Sequence, residues 1–257
     1  MTLKVNALTA RQALFCDVSF ELATGEVLAI IGPNGAGKTS LLKSMVGEWS
    51  CEQGEVSYNG RALKDWPTAE RAKQLAVLPQ HSLLNFPYTV EEVVLLGRTP
   101  HSTGQKADKD IVDAAMAEVD LDHLRKKLYT QLSGGEKQRT QLARAMTQIS
   151  TLDGSGDKPR YLFLDEPISS LDLGHQKQLM QWVRRFAQQG VSIVMVVHDV
   201  SLAARYADRL LAMREGRVVA FGSAQDVVTE SVMKELYQVD VKIMLHPDTG
   251  LPVVLGV

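Results

Sequence analysis

The stretch that most constrains the chain is Val27–Ile31, "VLAII", followed at once by "GPNGAGKTS". A short apolar run, then a glycine-rich loop, then a helical pattern with Leu41, Leu42, Met45 and Val46 on one face is the order a phosphate-binding loop requires. The spacing Gly32-x-x-x-x-Gly37-Lys38-Thr39 is the full P-loop pattern. In it, glycines let backbone amides close round the phosphates of a nucleotide, the lysine adds a point charge, and the hydroxyl takes a place on Mg²⁺. Gly32, Pro33, Asn34, Gly35, Ala36, Gly37, Lys38, Thr39 and Ser40 are therefore candidate nucleotide contacts, and Thr39 a candidate Mg²⁺ ligand.

Composition narrows the remaining classes. The chain has 257 residues, 45% of them hydrophobic, and a formal charge of −2. That supports a folded core and gives no reason to expect a polyanionic partner, so nucleic acid is disfavoured. Cys16 and Cys51 form neither a CxxC pair nor a disulfide framework, which suits reduced thiols in a cytosolic protein. The N-terminal "MTLKVNALTARQ" lacks the apolar centre of a secretory signal. No apolar run approaches the roughly 18–20 residues that span a bilayer. Membrane work, if any, would then go through another subunit.

Periodicity organises the rest. "DVSFEL" alternates like a half-buried strand, and "GEVSYNG" adds another that ends in an Asn-Gly turn. From about Asn85 the texture turns helical: Thr89 and Glu92 have capping-box spacing, and Ile111, Val112, Ala115, Met116 and Val119 recur at helical intervals. "YLFLDE" and "VSIVMVV" read as strands separated by an amphipathic helix ending at Gly190. "RLLAMREGRVVAFG" reads as a hairpin turning at Glu215 and Gly216, and Asp153–Pro159 as a flexible loop. The tail from Ala224 reads as a helix or two plus an extended end.

Two strand ends carry chemistry. "YLFLDEP" finishes in paired carboxylates; with a P-loop present, Asp165 is placed to hold Mg²⁺ and Glu166 to polarise an attacking water. "VSIVMVVHD" puts His198 at another strand end, within reach of a γ-phosphate. A further stretch, "LSGGEKQR", sets Ser133, Gly134 and Gly135 ahead of a helix whose apolar face is Leu142, Met146 and Ile149. Small residues at a helix N-terminus make an anion site. Ser133 with Glu136 is equally a capping box that needs no ligand.

Taken in order, Gly32–Thr39, Gln80, Leu132–Gln138, Tyr161–Glu166, Ser170-Leu171-Asp172 and His198 resemble the motif series of ATP-binding-cassette (ABC) ATPases over nearly the whole chain. The resemblance implies an α/β P-loop NTPase cassette: a RecA-like core with an antiparallel β subdomain (1–84 and 157–225), a helical subdomain (85–156) and a tail (226–257). It implies ATP and Mg²⁺ as ligands, and Gln80 as a catalytic glutamine that senses Mg²⁺ or water and links the core to the helical insert. It also implies a head-to-tail homodimer in which Ser133, Gly134, Gly135 and Glu136 grip the ATP bound to the partner, with Asp172 crossing the interface. That favours the phosphate-grip reading of "LSGG", since a cap alone does not explain both glycines.

This sequence departs from the family pattern in three places. Ala10 and Arg11 stand where many cassettes carry an adenine-stacking aromatic; Arg11, through its guanidinium plane, or the nearby Phe15, which reads first as a core residue, is the candidate contact. Ile168 replaces a threonine, and Glu136 a glutamine. "FPYTVEEVVLLGRTPH", Phe86–His101, resembles the permease-docking segment of importers for iron-siderophores, haem and cobalamin. The "SSLDLGHQ" and "HPDTGLPVVL" stretches are most similar to haemin-importer ATP-binding subunits. The resemblance thus implies a peripheral motor on the cytoplasmic face of the inner membrane, docked on two transmembrane subunits and fed by a periplasmic binding protein. Haem is the favoured cargo, with ferric siderophore or cobalamin as the alternative. A soluble non-transport ABC ATPase is the alternative from another class, and it would favour tandem cassettes or a basic face. A GTP switch would want an Asn-Lys-x-Asp motif, which the sequence lacks.

Overall fold

The structure, a computed structural model, describes residues 2–10, 14–80, 84–150, 159–169 and 171–256. Arg11, most of the expected loop at 153–159 and Ser170 lie outside the described residues. The chain divides into two compact units, Met1–Trp66 with Val183–Val257, and Pro67–Trp182.

The first unit opens with β1 (Thr2–Ala10), β2 (Val18–Ala23), β3 (Val27–Ile31), α1 (Lys38–Met45), β4 (Cys51–Tyr58) and β5 (Arg61–Ala62). The second holds α2 (Thr68–Gln74), β6 (Leu75–Leu78), α3 (Val90–Leu95), α4 (Gln105–Glu118), α5 (Gly134–Ile149) and β7 (Arg160–Asp165). The chain returns to the first unit within α6 (Leu173–Gln188). It then adds β8 (Val191–Val196), α7 (Val200–Tyr206), β9 (Arg209–Arg214), β10 (Arg217–Gly222), α8 (Ala224–Val227), α9 (Glu230–Tyr237), β11 (Val241–Leu245) and β12 (Pro252–Gly256).

Two kinds of strand follow from two kinds of sequence. In the first unit β3 lies between β8 and β9, parallel to both, and β10 returns antiparallel to β9. Every residue of β3 and β8 is buried, as continuous apolar runs covered on both faces demand. By contrast β2 alternates buried and exposed, and it belongs to the antiparallel array β2-β1-β4-β5. The Asn-Gly turn after β4 is present, with φ of 51° at Asn59 and 76° at Gly60, and β9–β10 turns at Glu215 and Gly216. The extended tail is a hairpin, β11 paired antiparallel with β12.

Strand β1 has no counterpart in the sequence reading, and its backbone explains why. Leu3, Val5 and Leu8 are its buried leucines and valine, so the alternation slips by one residue. The slip is a bulge: Ala7 has φ of 47°, and the register to β2 jumps between Val5 and Leu8. Across the bulge, a Cβ on Gly54 would lie 2.4 Å from the Ala7 carbonyl oxygen.

In the second unit α3, α4 and α5 pack together beside the parallel pair β6–β7. Contacts of α5 with β6 and β7 bind those strands to the helices. For that reason the division falls at 66/67 and 182/183, outside the boundaries at 85 and 156 suggested by texture. Thr89 does cap α3 as a capping box: the Glu92 amide donates to Thr89 Oγ1 at 3.3 Å, and the Thr89 amide to Glu92 Oε2 at 2.7 Å.

One buried cation ties the helices. Arg98, 3% exposed, donates to Asp108 Oδ1 at 2.8 Å, to the carbonyls of Thr147 (2.6 Å) and Ser150 (2.9 Å), and to Thr103 Oγ1. Thr103 and Arg98 together hold the Asp108 carboxyl below its ordinary range. Arg98→Met should cost about 3 kcal/mol, because it leaves Asp108 and two carbonyls without their cation. Urea unfolding compared at pH 7 will measure it.

Candidate functional site

In the first unit the phosphate loop forms where β3 ends. Gly32 (φ 145°) and Gly37 (φ 93°) adopt backbone that a side chain would oppose. A Cβ on Gly32 would lie 2.0 Å from the Met213 carbonyl oxygen, and one on Gly37 2.5 Å from that of Leu14. Asn34 and Gly35 face solvent, while Ala36 is buried and Thr39 and Ser40 are half-buried. Helix α1 begins at Lys38 with no side-chain cap and no acid in its first turn, which leaves its N-terminal amides for an anion. Lys38 is 6% exposed, and its Nζ donates to the carbonyls of Gly32 (2.8 Å) and Pro33 (2.9 Å).

His198 joins this loop by register. Ile30 pairs with Val196 across parallel β3 and β8, and the Val197 amide donates to the Ile30 carbonyl at 3.1 Å. Gly32 and His198 each follow that pair by two residues, so both emerge at the same sheet edge, with His198 exposed. Phe15, one of the two candidate adenine contacts, is fully buried in the core and has no face to offer a base.

The second unit repeats the device. Leu78 pairs with Leu164 across parallel β6 and β7, and Gln80 and Glu166 each lie two residues further on. Gln80 Nε2 donates to Glu166 Oε2 at 2.8 Å. Asp165, the last residue of β7, is 4% exposed, whereas Glu166 is half-buried. The backbone between these acids is unusual: Glu166 has φ of 51°, left-handed for a residue with a Cβ.

Ser133 and Gly134 are exposed at the start of α5, with Gly135 and Glu136 half-buried behind them. The capping box is formed: the Glu136 amide donates to Ser133 Oγ at 3.3 Å and the Ser133 amide to Glu136 Oε2 at 2.7 Å. That backbone N–H, helped by the Ser133 hydroxyl and by Lys127 at 3.4 Å, holds the Glu136 carboxyl below its ordinary range. Asp172 sits just before α6, where its Oδ1 accepts from the His175 amide and its Oδ2 meets His175 Nδ1, both at 2.9 Å. Those contacts depress the Asp172 carboxyl. His175 was not singled out by the sequence reading; the Asp-x-x-His spacing before a helical run is the signal that could have found it.

Each unit thus gathers its own set of groups. Gly32–Ser40 and His198 come together in the first, and Gln80, Asp165 and Glu166 in the second, which also carries Ser133–Glu136 and Asp172. A glycine loop leading from a buried parallel strand into an uncapped helix, in a chain that also carries a strand ending in paired acids, defines a P-loop nucleotide-binding protein of the α/β class.

The chain matches the ABC transporter family over residues 15–169 and belongs to it. It is 48% identical, over 93% of its length, to the hemin import ATP-binding protein HmuV of Gloeobacter violaceus, covering 86% of that protein. It is 45% identical to the protein of the same name from Pseudomonas putida, over 93% of this chain and 92% of that one. The solved structure of an ATP binding subunit of an ABC transporter aligns at a TM-score of 0.78 and 26% identity, over 93% of this chain and 98% of the other.

Ser133→Ala should lower stability by about 1 kcal/mol through loss of the α5 cap, read from the urea midpoint. Because Glu136 is depressed in the folded chain, its contribution is present above the ordinary glutamate pKa of about 4.3 and is lost as pH falls through the folded value. Glu136→Gln should therefore flatten the acid limb of the stability–pH curve.

Proposed function

We propose that this chain is the ATP-hydrolysing subunit of a membrane importer, and that the imported cargo is haemin. The observation that carries the hydrolysis reading is the Gln80–Glu166 hydrogen bond. It sets a half-buried carboxylate, able to meet water, next to buried Asp165 and within reach of a second polar group. The cargo reading is supported by relatives named as hemin import ATP-binding proteins that align over nearly the full chain.

In this reading the amides of Gly32–Thr39 take the ATP phosphates, and Lys38 turns its protons from its own loop carbonyls to phosphate oxygens. Thr39, Asp165 and Gln80 would hold Mg²⁺. All three offer oxygen, the donor type this ion takes. Phosphate oxygens of the nucleotide would complete the shell. When bound, the ion neutralises phosphate charge as the β–γ bond breaks. Glu166 accepts the proton of the attacking water once Gln80 releases its carboxylate, and His198 steadies the γ-phosphate.

A second copy completes each site: its Ser133, Gly134 and Gly135 grip the γ-phosphate bound at Lys38, and Asp172 crosses between the copies. No helix among the described residues is long and apolar enough to cross a membrane. Two permease subunits supply the path, a periplasmic binding protein delivers the cargo, and this chain works at the cytoplasmic face. The docking surface is the segment Phe86–His101. Phe86, Tyr88, Leu95 and Leu96 are exposed there, and the last three border a groove of about 810 Å³ with Glu91 and Lys126 at its rim.

Glu166→Gln should lower ATP turnover by about a hundredfold or more while ATP binding persists and a dimer accumulates on gel filtration. Wild-type turnover in that variant would refute the base assignment. In cells lacking the gene, uptake of haemin, ferric siderophore and cobalamin tests the cargo: haemin uptake alone should be lost, and restored by wild type but not by Glu166→Gln. Leu95→Asp should leave the ATPase of the isolated chain unchanged and abolish that uptake. An unaffected uptake would remove Leu95 from the docking surface.

A further inference from the structure

We propose that Gln138 is a positioning residue for hydrolysis: its side-chain amide holds the backbone turn that aims the Glu166 carboxylate. The inference rests on the reading of Glu166 as the base and adds a residue to which no role has yet been given.

Glu166 leaves β7 at φ of 51°, a left-handed conformation costly for any residue with a Cβ, so something must hold it there. Its carbonyl oxygen is the centre of the restraint. It accepts from the Ser169 amide at 3.3 Å, from Ser169 Oγ at 3.2 Å, and from Gln138 Nε2 at 3.4 Å. Gln138 Nε2 also donates to the carbonyl of Pro167, so one amide group spans both peptide units that follow the turn. Each bond restrains one peptide unit of the turn, and the first of those units leaves directly from the Glu166 Cα that bears the carboxylate side chain.

Two carbonyls converging on Nε2 fix which way the amide points. The other end of the same amide gains nothing: Gln138 Oε1 is buried with no hydrogen-bond partner among the described residues. What this side chain supplies is its N–H group, directed at the backbone of the acid pair.

Position makes the contact more than local packing. Gln138 lies on α5 one turn beyond Gly134, in the helix that Ser133 caps. The loop that presents Ser133–Gly135 and the turn that presents Glu166 are thus joined by a single side chain within one unit. Ser169 on the carbonyl and Gln80 on the carboxylate act beside it.

The test uses the full chain with MgATP. Gln138→Met keeps the side-chain length and removes the two N–H donors together with the orphaned acceptor, so the urea midpoint should move little. The kcat should fall about tenfold with KM for MgATP within twofold of wild type. In a Glu166→Gln background the same change should add no further loss of residual turnover, and the ATP-trapped dimer should still form. Gln138→Asn, whose amide is withdrawn by one methylene, should show the same split if the methionine variant folds poorly. An unchanged kcat overturns the proposal, as does a further loss in the Glu166→Gln background or a raised KM with loss of the trapped dimer. The Glu166→Gln single variant judges the base assignment separately: wild-type turnover there would sink that assignment whatever Gln138→Met does.

Discussion

A buried parallel strand cannot carry a charge until its ladder ends, and the chemistry of this chain depends on that limit. In β3, β8 and β7 the side chains are apolar or aromatic apart from buried Ser192 and the two end residues of β7, so the charged groups come at the strand ends or beyond them. Parallel register then does the assembly. Because Ile30 pairs with Val196, the residues two further along, Gly32 and His198, leave the sheet together. Because Leu78 pairs with Leu164, so do Gln80 and Glu166. Functional groups far apart in sequence are aligned by backbone hydrogen bonds before any of their side chains touch.

Helix N-termini use the complementary device. Helices α3, α5 and α8 carry reciprocal caps through Thr89–Glu92, Ser133–Glu136 and Ser223–Asp226, whereas α1, behind the phosphate loop, carries none. α2 and α4 also start without a side-chain cap, but α1 is the uncapped helix that begins in the glycine loop, where its amides can meet an anion. At α5 a cap and a phosphate contact do not exclude each other. The Ser133 hydroxyl accepts from the Glu136 amide, and a hydroxyl that accepts still has its own proton to give. Glu136, where the family often has glutamine, keeps the cap and gains Lys127 as a counter-charge. Its carboxylate is therefore spent inside the unit, which is why an acid is tolerated beside an anion site.

How much of this was legible beforehand depends on whether local pattern or long-range contact fixed each feature. The P-loop, the buried runs of β3, β7 and β8, the Asn59-Gly60 turn and the Thr89–Glu92 box are local, and each stands where the residues put it. Strand β1 was hidden because the bulge at Ala7 destroys the two-residue period. Strand β6 is four residues long and leans on its partner β7 and on α5, neither adjacent in sequence. At Phe15 sequence left a choice between core and adenine contact, and complete burial decides for core. Gln138 lay inside the "LSGGEKQ" motif without a role, since its partners are the carbonyls of Glu166 and Pro167, 28 and 29 residues away. A side chain bonded to distant main chain leaves no spacing to read.

Lys38 shows how the phosphate loop is braced by its own lysine. A buried ammonium must be paired or hydrogen-bonded, and this one is satisfied by the carbonyls of Gly32 and Pro33, residues of the loop it serves. Those bonds fold the loop back on its own lysine. ATP then competes for protons already in use, so the exchange gains from the charge of the phosphate rather than from the number of hydrogen bonds. The same logic holds at Glu166, whose carboxylate is occupied by Gln80. In both places a neutral neighbour, a carbonyl or an amide, is among the partners of the reactive group. Such partners are strong enough to prevent an unpaired charge and weak enough to yield to a phosphate or a water.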